Sequence, residues 1–370
     1  MLRLTFAAAL IVVATPALAQ RGGDLIAAEP LAQPPEGMLA WKIRYLTTDD
    51  QGRVREVSGM VVAPDGGERL QSPRPVIAWT HGTWGIAHQC APSQSPEFFD
   101  MTPAIDAVRT GYVVVAPDYI GLGSTGPHPY LVGTVTARAT LDAVRAAQQI
   151  GAAEAGNRFA VWGESQGGHA ALWTGQLARV DGAGLELVAV AAGAPPTDLA
   201  ANLRQASDPN ARAFLTALTT VSWSEYYNVP LNLGRRSSPA IMRKLASNCI
   251  SVSSPPKLGA LLGILTLRRD LKNVDLGKQA PWSRFVSANS TAPMQTVPVL
   301  MAQTQNDPLV AASVTRKFAQ RLCANRVRVR WIDLPGKDHA TTARQSAFET
   351  LRWMDDRFAG IRAPSDCGKI

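Results

Sequence analysis

The run Arg158-Phe-Ala-Val-Trp162 has the apolar, β-prone character of a short buried strand, and a helix-forming pattern continues from Gly168 to Val180. Between them stand only Gly163-Glu164-Ser165-Gln166-Gly167. A strand that reverses into a helix over so few residues brings the two elements into contact. Side chains two positions before and two after the serine would collide there, which accounts for Gly163 and Gly167, with Gly168 extending the clearance. The same rhythm recurs along the chain. Residues 75–80, 112–116, 158–162, 185–191, 297–302 and 327–332 read as strands, and their near-continuous apolar character is what helix-covered parallel strands need. Residues 98–110, 134–150, 168–180, 310–322 and 341–358 read as helices. On the second of these, Val135, Ala139, Ala143 and Ala146 form a small-residue stripe suited to close packing on a sheet. The alternation predicts an α/β fold, with a mostly parallel central sheet, flanking helices and right-handed crossovers.

Residues 41–47 and 54–63 alternate as early antiparallel strands around the polar turn 48–52. The interval 195–293 breaks the rhythm, with helical pieces at 211–227, 238–245 and 258–267 and a Ser/Pro-rich link at 251–256. It is expected to be a mainly helical cap inserted into a core built from 41–194 and 294–370, preceded by an extended lead-in over 20–40. The first nineteen residues carry Arg3, an apolar run from Leu4 to Val13, and Ala17-Leu18-Ala19, the pattern of a cleaved signal peptide. The expected location is therefore periplasmic or secreted, with no stable membrane insertion after cleavage.

The net charge of +8 is scattered, with small groups at Arg235-Arg236, Arg268-Arg269 and 326–330 and no interleaved aromatics, so no nucleic-acid partner is expected. Cys90, Cys249, Cys323 and Cys367 make an even set in an exported chain and allow three pairings. Cys90–Cys249 would staple the inserted region to an early loop and Cys323–Cys367 would pin the C-terminus, and these are the expected bonds. No Cys/His spacing suggests a metal site.

A serine hydroxyl needs a base to become a useful nucleophile. Of the five histidines, His81 opens a loop after a strand, His88 and His128 lie in polar loops, and His169 enters a helix. His339 alone follows the final strand, where the chain order serine, acid, histidine requires the base. Asp307, at the end of the penultimate strand, is the candidate acid, with Asp333 and Asp338 as rivals nearer the base. The backbone N–H of Gln166 and that of Thr83 or Trp84, in the loop His81-Gly82-Thr83-Trp84, are the candidate oxyanion donors.

With these residues, and with Trp79-Thr-His-Gly-Thr83, the run from Gly111 to Gly123, and Gly193-Ala-Pro-Pro-Thr-Asp198-Leu199, the chain resembles the α/β-hydrolase superfamily and, more narrowly, the secretory lipase family. Glu164 departs from the aromatic residue that relatives often carry before the serine. The resemblance implies a serine esterase or lipase in which a helical cap shapes the acyl pocket, with Ser165 as nucleophile, Asp307 as acid and His339 as base. It implies a structural role for Asp118. The expected substrate is a small-molecule or lipid ester, cleaved through an acyl-enzyme with neither metal nor organic cofactor. The alternatives are a secreted serine peptidase, a polysaccharide-ester esterase with the same triad, and a noncatalytic binding protein of this fold.

Overall fold

The computed structural model describes residues 21–66, 73–233, 238–250 and 258–370. The expected signal segment, Arg235-Arg236 and the 251–256 link lie outside the described residues. In chain order the elements are β1 (Leu25–Pro30), β2 (Met38–Thr48), β3 (Val54–Pro64), β4 (Arg74–Thr80), β5 (Val113–Pro117), α1 (Gly133–Ala147), β6 (Ala155–Glu164), α2 (Gln166–Asp181) and β7 (Glu186–Gly193). Then come α3 (Leu199–Gln205), α4 (Pro209–Tyr226), α5 (Pro239–Ala246), α6 (Leu258–Asp270) and α7 (Trp282–Asn289), followed by β8 (Val299–Thr304), α8 (Ala312–Ala324), β9 (Val329–Leu334), α9 (Thr342–Gln345) and α10 (Ala347–Phe358).

The strands form one nine-stranded sheet in the order β1-β2-β3-β5-β4-β6-β7-β8-β9. Pairing is antiparallel from β1 to β5 and parallel from β5 to β9. The parallel register aligns Thr80 with Gly163, Glu164 with Gly193, Gly193 with Ala302, and Thr304 with Leu334. Five carboxyl ends therefore come side by side, and the loops leaving them share one rim. A ligand site belongs at such a rim because neighbouring loops diverge there and open a crevice.

Side chains alternate across the sheet into two cores, as the period of a strand requires. Val76, Ala78, Val113, Val161 and Val190 face α1, α2 and α8, whereas Ile77, Trp79, Val114, Trp162 and Ala191 face α10 and the 3-10 segment Pro103–Thr110. Fully burying each Val or Ile contributes about 1.5–3 kcal/mol. The stripe on α1 is almost wholly buried, with Val135 1% exposed and Ala139, Ala143 and Ala146 at 0%. Helices α3 to α7 are the inserted helical region, and their Leu199, Trp223, Leu245, Trp282 and Phe285 join the first core rather than packing apart from it. Cys90 is bonded to Cys249 and Cys323 to Cys367. The first bond ties the loop beyond β4 to the segment beyond α5.

Three stretches differ from expectation. Residues 25–30 of the lead-in are extended but paired, forming the edge strand β1 with Leu25 opposite Tyr45 and Pro30 opposite Trp41; an edge position tolerates the proline that weakened the strand signal. The helix expected over 98–110 is a 3-10 segment that starts only at Pro103, where the missing N–H suits a first turn, and Gly111 ends it at φ 100°. The helix expected over 341–358 breaks at Ser346, whose backbone leaves helical values and whose hydroxyl donates to the Thr342 carbonyl at 2.8 Å. Helices α3 and α7 had no counterpart in the sequence reading.

Candidate active site

Ser165 stands between β6 and α2 at φ 55° and ψ −119°. A non-glycine residue holds that conformation only when its surroundings impose it. The surroundings are the two glycines. A Cβ on Gly163 would lie 2.1 Å from Thr80 Oγ1, and one on Gly167 would lie 1.8 Å from the Thr80 carbonyl oxygen. The Thr80 hydroxyl instead donates to the Gly167 carbonyl at 2.8 Å, fastening the turn to β4. The candidate nucleophile thus projects from the rim while its backbone is clamped beneath it.

His339, in the loop between β9 and α9, reaches that hydroxyl. Its Nε2 is 2.8 Å from Ser165 Oγ, and its Nδ1 is 2.6 Å from Asp307 Oδ2. Asp307 is in turn held by its loop, because its Oδ1 accepts the backbone N–H groups of Leu309 at 2.8 Å and Val310 at 2.9 Å. With the carboxylate fixed, Nδ1 carries the proton it donates, which leaves Nε2 as an acceptor for the serine hydroxyl. Burial disfavours charging the imidazole, but the hydrogen bond and charge of Asp307, aided by Glu164 and Asp338, outweigh it and hold His339 above the ordinary imidazole range. The rivals are engaged elsewhere. Asp333 pairs with Arg316 at 2.8 Å, and Asp338 caps its own turn through the Ala340 N–H and the Thr341 hydroxyl.

The loop after β4 passes beside the serine, since a Cβ on Gly82 would come 3.9 Å from Ser165 Cβ. Thr83 Oγ1 is 2.8 Å from the Tyr130 hydroxyl. Trp84 accepts the Ile250 N–H through its carbonyl at 2.9 Å, and its side chain lines a second recess with His81 and Asp118. Gln166 is the first residue of α2, so its N–H belongs to the donors that an α-helix leaves unpaired at its start. The partial positive charge of that helix end favours an anion at the same spot.

Asp118 is buried and takes hydrogen bonds from the Ser58 hydroxyl at 2.7 Å and from the Ser93 N–H at 2.9 Å, so it braces the loops that it joins. Burial raises its carboxyl and the serine donors oppose that. His169 is turned away to the inserted region, with Nε2 2.7 Å from the Asn289 carbonyl at the end of α7, and burial lowers it to about 4.

Two residues of the site carried no usable sequence signal. His128 is buried, and its Nδ1 lies 2.9 Å from the Ile120 carbonyl, which can only accept, so Nδ1 bears the proton. Its Nε2 then accepts from the Gln166 amide at 3.1 Å, and burial lowers the imidazole to about 3, keeping it neutral. Glu164 is the other. Desolvation raises its carboxyl to about 7, against the opposing charge of His339 and the backbone of Ala343 and Thr342, and its Oε1 is buried without a partner.

Ser165 opens onto a pocket lined by Leu131, Leu199, Leu203, Leu215, Leu309 and Val310, with about 540 Å³ of atom-free space including its open mouth. Tyr130, Gln166, Asn202 and Thr219 are the polar residues besides Ser165 in its wall. The inserted helices α3 and α4 supply Leu199, Leu203 and Leu215 of that lining, so the cap and the rim together make the cavity.

Comparison with known proteins gives the same architecture. Lipase 2 of Candida albicans is 25% identical over 89% of this chain and 74% of its own length. A Mycobacterium tuberculosis protein named as a probable inactive lipase is 23% identical over 88% of this chain and 75% of its own length. The closed state of Candida antarctica lipase A superposes with a TM-score of 0.74 at 18% identity, covering 95% of this chain and 85% of that one. The model of the family described as "Secretory lipase" matches residues 97–366, through the whole cap to the segment beyond α10, and the chain belongs to that family.

Proposed function

We propose that this chain is an exported serine carboxylic-ester hydrolase that acts on small-molecule or lipid esters through an acyl-enzyme. The observation that carries the reading is the continuous chain of hydrogen bonds from Ser165 Oγ through His339 to Asp307, at 2.8 and 2.6 Å. Because one relative of this chain is named as a probable inactive lipase, this arrangement of side chains is a better guide than resemblance.

Ser165 Oγ attacks the ester carbonyl as His339 Nε2 takes its proton, and Asp307 stabilises the imidazolium without accepting the proton itself. The carbonyl oxygen becomes an oxyanion against the Gln166 N–H and the Thr83 N–H, where each donor is worth about 10²–10³ in rate. The imidazolium then protonates the departing alcohol. Water enters by the same route in reverse, and release of the acid restores the serine. The apolar wall of the pocket favours an alkyl chain on the ester. Membership of the secretory lipase family supports a secreted or periplasmic location.

A fluorophosphonate probe should label the wild-type chain and leave Ser165→Ala unlabelled. A panel of p-nitrophenyl esters from acetyl to palmitoyl, with emulsified triglyceride, an acetylated polysaccharide and an aminoacyl amide as controls, reads the substrate. Ester turnover that disappears in Ser165→Ala is the expected result. Faster cleavage of the amide, or equal labelling of both chains, would overturn the reading.

A further inference from the structure

Asn202 lines the pocket that holds Ser165 and is 5% exposed, yet neither Oδ1 nor Nδ2 of its side chain has a hydrogen-bond partner. Exchanging the amide oxygen and nitrogen changes nothing, because both ends are unpaired. The helix around it is firmly set, with the Asp198 carboxylate accepting the Ala201 N–H at 2.9 Å and the Asn202 N–H bonded to the Asp198 carbonyl. A second unpaired group belongs to a residue of the same wall. His128 compels Gln166 to present its amide hydrogens to the imidazole, and this leaves Gln166 Oε1 buried without a donor. Besides Ser165, Tyr130 and Thr219, the wall is leucine, valine, proline and alanine, and its two amides hold two acceptors and one donor buried with nothing to meet them. Buried amides are rarely left in this condition, because their desolvation is uncompensated.

We propose that this pocket is a recognition subsite for a hydroxyl-bearing alkyl chain, with Asn202 as the specificity-determining residue. A hydroxyl can donate to one amide oxygen and accept from the Asn202 amide nitrogen, whereas a plain alkyl chain satisfies neither and a carboxylate would leave both acceptors facing like partners. The absence of any charged side chain from the lining also favours a neutral ligand. The substrate class is therefore an ester whose pocket-borne portion is a hydroxyalkyl chain, entering on either the acyl or the alcohol side. This rests on the ester-hydrolase reading above.

The test compares kcat/KM for p-nitrophenyl octanoate with the same ester bearing a hydroxyl at carbon 3, 6 or 8, and for octyl acetate with 8-hydroxyoctyl acetate. At least one hydroxylated substrate should be preferred by about tenfold, the value of a well-made hydrogen bond at the upper end of its usual range. That ratio should fall to near one in Asn202→Leu, and the two series distinguish acyl-side from alcohol-side entry. The wild-type ratios alone suffice if the variant does not fold: no preference in either series overturns the subsite while ester turnover leaves the enzyme reading standing. In parallel, Ser165→Ala is melted with methyl octanoate and with its hydroxylated counterparts. A larger rise in Tm of this variant with a hydroxylated ester, when the wild-type chain turns over none of the esters, would keep the subsite and reject the esterase. Equal shifts together with no turnover would reject both.

Discussion

At the scale of single residues, the proposed proton relay turns on one imidazole with acids on more than one side. Asp307 raises the affinity of His339 for a proton, and Glu164 and Asp338 add to it. The base works only when neutral, so kcat/KM should climb with pH through an apparent pKa above the ordinary imidazole value of about 6.5. Asp307→Asn should lower kcat by about 10⁴ with the fold retained, because the wrong tautomer is then favoured; steady-state assays beside circular dichroism check both halves. Glu164→Gln removes one of the charges that raise His339, and its acid limb should move to lower pH. Stability gives an independent reading of the same side chain. The folded chain holds the Glu164 proton up to about 7, against an ordinary value of 4.5. The stability associated with that neutral carboxyl is fully present below the unfolded value and is lost as pH rises through about 7. Glu164→Gln should therefore be more stable than the parent at pH 8, by up to about 3 kcal/mol, with the gap closing toward pH 4. Urea unfolding at the two pH values measures it, and a gap independent of pH would show that the carboxyl does not titrate in this way.

Among the elements, the β6–α2 turn is the least forgiving. Its two glycines are read from the sequence as relief of crowding, and what crowds them is the backbone and hydroxyl of Thr80 on the neighbouring strand. A methyl group at 167 would meet backbone rather than a movable side chain, so Gly167→Ala should cost about 2–4 kcal/mol and displace Ser165 from its φ of 55°. Urea denaturation and fluorophosphonate labelling report the two consequences separately. Elsewhere the legibility of elements follows their physics. The buried parallel strands and α1 announce themselves through continuous apolar runs and small-residue spacing, because burial on both faces or against a sheet demands them. Edge strand β1 does not, since residues 25–30 are half exposed and its register comes from β2 rather than from any pattern of its own. Short α3 was equally silent, with a single turn of apolar residues and a capping aspartate that could serve any loop.

For the whole molecule, the cap and the core form one packed body, and the two disulfides load it unequally. The Cys90–Cys249 bond spans 159 residues and joins the loop beyond β4 to the inserted helices, next to the carbonyl of Trp84 that receives the Ile250 N–H. The Cys323–Cys367 bond closes 44 residues at the C-terminus, away from the rim. Replacing either pair with alanine should cost about 2–4 kcal/mol through the freer unfolded chain. Only the first should also alter kcat/KM, because only it holds a loop of the site. Thermal melts and ester assays on the two double variants test this, and equal losses of activity would contradict it.

How much of this was written in the chain is now plain from its parts. Ser165, Asp307 and His339 were legible because chain order, strand ends and a crowded turn are local properties, each visible within a few residues of sequence. Their convergence depends on the parallel register, which sets the ends of β4, β6, β7, β8 and β9 in one row. The surroundings of His128, Glu164 and Asn202 arise only in the folded chain. A histidine in a polar-looking loop, an acid beside a serine and an amide on a short helix have ordinary neighbours in sequence; what distinguishes them is desolvation and the partners they gain or lack, and both arise only when distant segments close over them.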